Sequence, residues 1–311
     1  MRIYPEDRIG SFVELDWLVR DTARLGQIAS EGQYHAPVVY SDRRRMTTPK
    51  QFDGSRRHVL DWVESRDFLD TVQQWVAPQG FTVATDAIRM PSGWEQSKES
   101  RLFDKASPFL DPGRKDTVRG WWLAHAGNIP NWDLIVQAAG RDGPALVLVE
   151  AKAKVSEFDC KSKPLLYRSE DLQARERTDD NHRQIGHAIA EASSALSSRG
   201  IFISCEHHYQ LSNRIAMAWK LASLGVPNTL VFLGFTGDRE ISRKGDYFAD
   251  DKDWHRAFTE YLKGVLPEGL LEKDISSGAA SFRVLSRSLP AIRDSRPIAE
   301  RRVGRVRRRN R

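Results

Sequence analysis

The stretch PNWDLIVQAAGRDGPALVLVEAKAK, residues 130–154, places charged residues within and at the end of two apolar runs. Residues 132–139 and 145–153 have the length and the β-branched, apolar content of strands. The five residues between these runs, Gly-Arg-Asp-Gly-Pro, have the composition of a turn. The stretch therefore predicts a β-hairpin that carries charges among side chains suited to burial.

The charges of the second run fall on one face of the expected strand. Successive side chains of a strand point to opposite faces. Leu146 and Leu148 therefore share a face with Glu150, Lys152 and Lys154, and the three charges lie at the carboxyl end of the run.

The turn decides which residue of the first strand faces these charges. A two-residue loop at 141–142 pairs Asp133 with Glu150, and a loop at 142–143 pairs Asp133 with Lys152. In both cases Asp133 shares a face with Glu150 and Lys152, because directly opposite residues lie on the same side, ~5 Å apart at Cβ. A loop of odd length without a bulge would place Asp133 on the other face.

Two facing carboxylates repel each other unless a cation lies between them. Hard oxygen ligands suit Mg²⁺, with Mn²⁺ as an alternative ion, and such a site keeps waters and room for a phosphate. The ion polarises a phosphoryl oxygen and lowers the pKa of a bound water, while a nearby ammonium stabilises developing negative charge. Asp133, Glu150 and Lys152 thus outline a site for phosphodiester hydrolysis.

A strand that begins P-x-W-D, followed by an apolar strand that ends in Glu-x-Lys, resembles the PD-(D/E)XK nuclease superfamily over residues 118–235. The resemblance implies an α/β, restriction-endonuclease-like fold with a mixed central sheet flanked by helices. It also implies that Asp133 and Glu150 bind Mg²⁺ with the backbone carbonyl of Ala151, and that Lys152 is the catalytic lysine. The chain departs from the family pattern because Pro130 stands three residues before Asp133. Family helices after this strand often carry a glutamine, for which Gln184 and Gln210 are both candidates.

The remaining periodicity predicts helices over 58–76, from Asp179 or Asp180 to Gly200, over 209–224 and from about residue 253. Strands are predicted over 81–88 and 229–235, with an edge strand over 281–285. A Ser-, Pro- and Gly-rich loop is expected over 91–114. These elements divide the chain into three parts: a mostly helical N-terminal region with a linker (1–117), a nuclease-like catalytic domain (118–290) and a disordered Arg-rich tail (291–311).

The net charge of +6 comes from the tail. Residues 293–311 hold nine Arg against Asp294 and Glu300, which leaves 39 basic and 40 acidic side chains in residues 1–292. A nucleic-acid partner, with DNA the expected one, would therefore need a local basic patch or the tail. The longest apolar runs are too short to span a membrane, no secretory signal is evident, and two cysteines make no disulfide framework. We expect a cytoplasmic protein without a membrane partner.

Other polar and aromatic residues give weaker indications of function. Asn213, Arg214 and Lys220 are interpreted as the polar side of their helix, and the segment from Cys205 to His208 as a polar loop, because it lacks a second pair of zinc ligands. Trp121 and Trp122 are expected to pack in the core or against a hairpin rather than to stack on bases. The basic residues at 43–45, 50 and 56–57 fit phosphate contacts or a solvated face equally well.

The expected activity is Mg²⁺-dependent hydrolysis of nucleic acid. A non-catalytic nucleic-acid-binding module of the same fold, and a structural or interaction protein whose charged hairpin only forms salt bridges, stay open as alternatives. The sequence does not distinguish DNA from RNA, single from double strands or endonuclease from exonuclease, and it leaves the oligomeric state open.

Overall fold

A computed structural model describes residues 54–99, 101–167, 170–239 and 246–292. The basic residues at 43–45 and 50 and the Arg-rich tail from residue 293 lie outside this part of the chain. The α-helices are α1 (Ser55–Val63), α2 (Phe68–Val76), α3 (Pro112–Trp122), α4 (Leu172–Leu196), α5 (Tyr209–Ser223) and α6 (Asp251–Leu262). The strands are β1 (Arg89–Met90), β2 (Leu134–Gly140), β3 (Gly143–Lys152), β4 (Asn228–Thr236), β5 (Asp274–Ser277) and β6 (Ala280–Pro290).

These strands form one open, mixed sheet in the order β1-β2-β3-β4-β6-β5. Strands β1, β2 and β3 pair antiparallel, as do β5 and β6. The central pairs, β3 with β4 and β4 with β6, are parallel. A parallel pair needs a long crossover, and α4 and α5 supply it between β3 and β4. The protein is therefore an α/β protein, as predicted.

The hairpin of β2 and β3 adopts the first of the two predicted registers, the one with its loop at residues 141–142. Gly140 pairs with Gly143, so residues 141–142 form the loop, and Leu134 pairs with Val149 at the other end of the ladder. Gly143 has a φ of +138°, a backbone conformation that is open to glycine and strained for other residues. The next position beyond Leu134 and Val149 places Asp133 opposite Glu150.

Helices cover both faces of the sheet, and the predicted alternation in β3 is confirmed. Val147, Val149 and Ala151 pack in a core with residues of α1 and α2. Leu146 and Leu148 pack in a second core with α3, α4, α5 and α6. Glu150 and Lys152 continue the face of the two leucines, so they point toward the side of the sheet on which α5 lies.

Two predicted boundaries before the hairpin are wrong. The helix predicted over 58–76 is broken at 64–67, where Ser65 Oγ donates a hydrogen bond to the carbonyl of Trp62 at 2.6 Å and ends α1. Residues 81–88 are not a strand: Thr82 forms a single bridge with Ala139, and the short β1 follows at Arg89.

Two later predictions also need correction. Helix α4 begins at Leu172 rather than near residue 180, because Asp171 caps it by accepting a hydrogen bond from the amide of Ala174 at 3.1 Å. The strand predicted at 281–285 is not at the edge: β6 lies between β4 and β5, and β5 forms the edge. Helix α5 and strand β4 match their predicted ranges closely.

The predicted division of the chain at residue 117 stays a prediction. In the structure this position lies within α3, and residues of α1 and α2 share a core with β2 and β3. Within the described residues, no helix is both long enough and apolar enough to cross a membrane.

Candidate active site

A cleft of about 690 Å³ opens where β3 ends and β2 begins. The hairpin contributes Asp133, Glu150, Ala151 and Lys152 to its wall, so the structure brings together the four residues that the family resemblance implied for metal binding and catalysis. The first two turns of α5 form another part of the wall with four polar side chains: Tyr209, Gln210, Asn213 and Arg214. Further acidic residues in the lining are Glu99, Glu157 and Asp159.

Asp133 lies just before the first residue of β2. At this position its side chain, rather than the backbone, accepts a hydrogen bond from β3. Its Oδ2 accepts a hydrogen bond from the amide of Ala151 at 2.7 Å. The bond fixes the carboxylate against the end of β3. The N–H and C=O of one strand residue point to the same side, so the carbonyl of Ala151 also faces the side of Asp133.

Glu150 is buried between two cations. The Nζ of Lys152 donates to Glu150 Oε1 at 2.5 Å, and the Nε of Arg214 donates to Glu150 Oε2 at 2.6 Å. The side chain of Glu150 is 3% exposed, that of Lys152 6% and that of Arg214 8%. Two buried positive charges therefore accompany the pair of carboxylates.

This arrangement shifts the pKa values of the two acids in opposite directions. Burial raises the pKa of Asp133 to about 7, and repulsion from Glu150 adds to the effect. Burial also acts to raise the pKa of Glu150, but Arg214 and then Lys152 outweigh it and lower that pKa to about 2. Without a metal ion, Glu150 is therefore ionised at neutral pH, whereas Asp133 is only partly ionised.

The position of Arg214 corrects the sequence interpretation, which assigned this residue to the polar side of α5. Arg214 follows Leu211 by three residues and precedes Ala218 by four, so it lies on the buried face of the helix. A basic residue in register with an apolar stripe was the signal that could have identified it. Its partners on β2 and β3 are distant in the chain, so the sequence alone did not reveal them.

The contacts of the remaining candidate residues show which of them belong to the cleft. Gln210 lines the cleft, whereas Gln184 donates to the carbonyl of Trp121 at 2.9 Å and is absent from the described lining. Trp121 and Trp122 belong to the core, as predicted. Lys154, two residues beyond Lys152, is half-buried and is likewise not part of the described lining.

The donor set fits a hard divalent cation. Asp133 Oδ1 accepts no hydrogen bond from the described residues, and each oxygen of Glu150 retains a lone pair beside its ion pair. Together with the carbonyl of Ala151 these are oxygen ligands. The described residues hold no group of three or more His, Cys, Asp and Glu that could bind a metal. Mg²⁺ is commonly held by only one or two carboxylates plus waters.

Comparison with protein-family models, with curated proteins and with solved structures gives no match for this chain. The described residues form an α/β architecture with a six-stranded, mixed, open sheet between helices.

Proposed function

We propose that this protein is a metal-dependent nuclease of restriction-endonuclease-like fold. It hydrolyses phosphodiester bonds of nucleic acid with Mg²⁺, DNA is its expected substrate, and the cytoplasm is its expected location. The convergence of Asp133, Glu150 and Lys152 in one cleft carries the proposal. The mixed sheet with helices on both faces supports it at the level of architecture.

The residues divide the work by their chemistry. Asp133, Glu150 and the carbonyl of Ala151 would hold the ion, which supplies charge stabilisation at the phosphate and a more acidic water. Lys152 has a buried ammonium next to Glu150. Such a group stabilises negative charge that develops on the phosphate, and it acts strongly because little water screens it.

The ion pairs of Glu150 favour a second candidate, in which the charged cluster is purely structural. Lys152 and Arg214 already neutralise Glu150 without a metal. A protein of this kind would bind no divalent ion in the cleft. A nucleic-acid-binding module without activity would bind the polymer and leave it intact.

Cleavage assays with the full-length protein separate these candidates. The substrates are labelled single- and double-stranded DNA and RNA, each with Mg²⁺ or with EDTA. We expect cleavage of DNA in Mg²⁺ only, and its loss in Asp133→Asn, because the substitution removes a ligand charge. Asp142→Asn is the matched control, since Asp142 is an exposed residue of the same hairpin. Full activity of Asp133→Asn would reject the proposed role of this acid.

Lys152 and Lys154 provide a second test. Lys152 is the last residue of β3 and is buried beside Glu150, whereas Lys154 lies two residues beyond the strand, ~7 Å farther along the extended chain. Because catalysis is lost through misplacements of ~1 Å, Lys152→Ala should abolish single-turnover cleavage and spare metal binding. Lys154→Ala should chiefly weaken DNA binding. Cleavage by Lys152→Ala at the wild-type rate would exclude Lys152 from the mechanism.

A further inference from the structure

Arg214, on α5, contacts β3 and the segment that leads into β2. Its Nε donates to Glu150 on β3 at 2.6 Å, and its Nη2 donates to the carbonyl of Asn131, ahead of β2, at 2.7 Å. The guanidinium also lies over the ring of Trp132, 4.7 Å from the centroid. Trp132 directly precedes Asp133. The side chain of Arg214 is therefore bonded both to Glu150 and to the segment that carries Asp133.

We propose that Arg214 is a positioning residue that holds Asp133 and Glu150 in facing positions. The inference rests on the proposed nuclease function and extends it to a residue of α5. The contacts of Arg214 reach 64 residues back to Glu150 and 83 residues back to Asn131. Arg214 thereby joins the crossover helix to both arms of the hairpin at the point where the ladder of β2 and β3 ends.

Most of the Arg214 guanidinium is engaged by the protein rather than open to substrate. Three of its five N–H groups donate within the protein, because Nη1 donates to Asn213 Oδ1 at 3.0 Å in addition to the two bonds above. One face of the guanidinium is covered by Trp132, and the side chain is 8% exposed. A residue that acts through its neighbours, rather than on the phosphate, accounts for this geometry.

Neutralisation of Glu150 alone does not explain the choice of arginine either. Lys152 already pairs its ammonium with Glu150. If only charge balance mattered, a lysine at position 214 would serve as well as the arginine. Arg214 donates to Glu150, Asn131 and Asn213 from three separate nitrogens of a planar fork, whereas the three donors of a lysine share one nitrogen. The structure thus assigns a geometric role to Arg214, and the lysine variant is the informative substitution.

The first measurement needs neither metal nor activity. Hydrogen exchange of the Ala151 amide reports whether Asp133 stays in place, because this amide donates to Asp133 Oδ2. In EDTA, exchange should be about tenfold faster in Arg214→Gln and Arg214→Lys, the factor expected for loss of one charge-assisted hydrogen bond. The control is Lys220→Gln, which removes a base from the same helix outside the cleft. Wild-type exchange in both Arg214 variants would overturn the proposal.

Thermal unfolding accompanies this measurement. Arg214→Lys keeps the positive charge, so it should retain most of the stability even where Arg214→Gln fails to fold. Fast exchange at Ala151 in a stably folded Arg214→Lys protein supports positioning by the fork. Wild-type exchange in that protein would show that charge alone suffices, and it would overturn the geometric role of the guanidinium even if exchange in Arg214→Gln is fast.

The second measurement follows Mn²⁺ binding by calorimetry and single-turnover cleavage of DNA. For Arg214→Lys we expect metal affinity and the rate at saturating DNA to fall about 10–100-fold, as for other residues that orient metal ligands. The half-saturating DNA concentration should stay unchanged. An unchanged rate with a raised half-saturating concentration would make Arg214 a substrate contact and overturn the proposal. A wild-type protein that neither binds Mn²⁺ nor cleaves, with fast Ala151 exchange in the variants, would reject the nuclease function and retain the positioning of Asp133.

Discussion

Helix α5 carries two clusters, each made of a base, an acid and an indole ring, that differ in their contact with water. The inner cluster consists of Arg214, Glu150 and Trp132, and its ion pair is 2.6 Å long with side chains that are 8% and 3% exposed. It lies in the cleft and joins three segments of the chain.

The outer cluster consists of Lys220, Glu191 and Trp121. Its ion pair is 3.5 Å long, and Glu191 is 53% exposed while Lys220 is 14% exposed. The Nζ of Lys220 lies 4.8 Å from the centroid of Trp121, and the indole N–H donates to Glu191 at 2.9 Å. This cluster joins α5 to α3 and α4 on the outside of the sheet.

The comparison shows that residue types alone do not identify a functional site. An exposed ion pair contributes little because water solvates both charges in either state. A buried pair has to be balanced, so removal of one partner leaves a charge without compensation. The inner cluster therefore constrains the geometry of its neighbours, whereas the outer cluster tolerates change.

The largest effect on stability is expected for Glu150 of the inner cluster, for which Glu191 of the outer cluster is the comparison. Glu150→Gln leaves Arg214 and Lys152 buried without their counter-charge and should lower the free energy of unfolding by about 3–5 kcal/mol. Glu191→Gln should lower it by about 0–1 kcal/mol. Urea denaturation of both variants measures the difference. Equal losses would show that burial does not distinguish the clusters.

An intermediate effect of opposite sign is expected at Asp133. Its folded pKa of about 7 lies above the ordinary value of 3.8, so the unfolded chain ionises first and stability falls as pH rises from about 4 to 7. Asp133→Asn removes the ionisable group and therefore also this loss of stability at high pH. In EDTA at pH 8 it should raise the free energy of unfolding by about 1–3 kcal/mol, and the gain should vanish near pH 3.5. Asp142→Asn serves as the control. A destabilised Asp133→Asn protein at pH 8 would favour a purely structural cluster.

The smallest effect is expected in the outer cluster. Lys220→Gln should cost less than about 0.5 kcal/mol at low salt, and nothing measurable in 1 M salt, where the Debye length is ~3 Å. Urea denaturation at two salt concentrations measures this. A cost that persists in 1 M salt would indicate that the contact of Lys220 with the indole rings, rather than its ion pair with Glu191, holds this side chain.

The hairpin and its acids were predictable because alternation and turn length act over a few residues. Asp133 and Glu150 needed only the period of two and the register of one short loop, and the structure has one of the two predicted registers. The break of the first helix at 64–67 and the early start of α4 at Asp171 depend on single side-chain hydrogen bonds that periodicity does not reveal.

The missing part of the site comes from tertiary contacts. The sequence of α5 does not indicate that Arg214 contacts Glu150. The two residues are separated in the chain by α4 and its flanking loops. The same limit explains β6, whose neighbours in the sheet depend on the pairing of distant segments. What sequence patterns leave open here is which helix face meets which strand end.

The different chain separations within the site also imply an order of assembly during folding. Asp133 and Ala151 are 18 residues apart, Glu150 and Lys152 only two, while Arg214 is 64 residues from Glu150. Hairpins close within ~1–10 μs, and distant contacts come later because longer loops lose more entropy. We therefore expect the hairpin to bring its two acids together before α5 packs against them. Lys152, on the same strand, is the counter-charge that accompanies Glu150 through this interval.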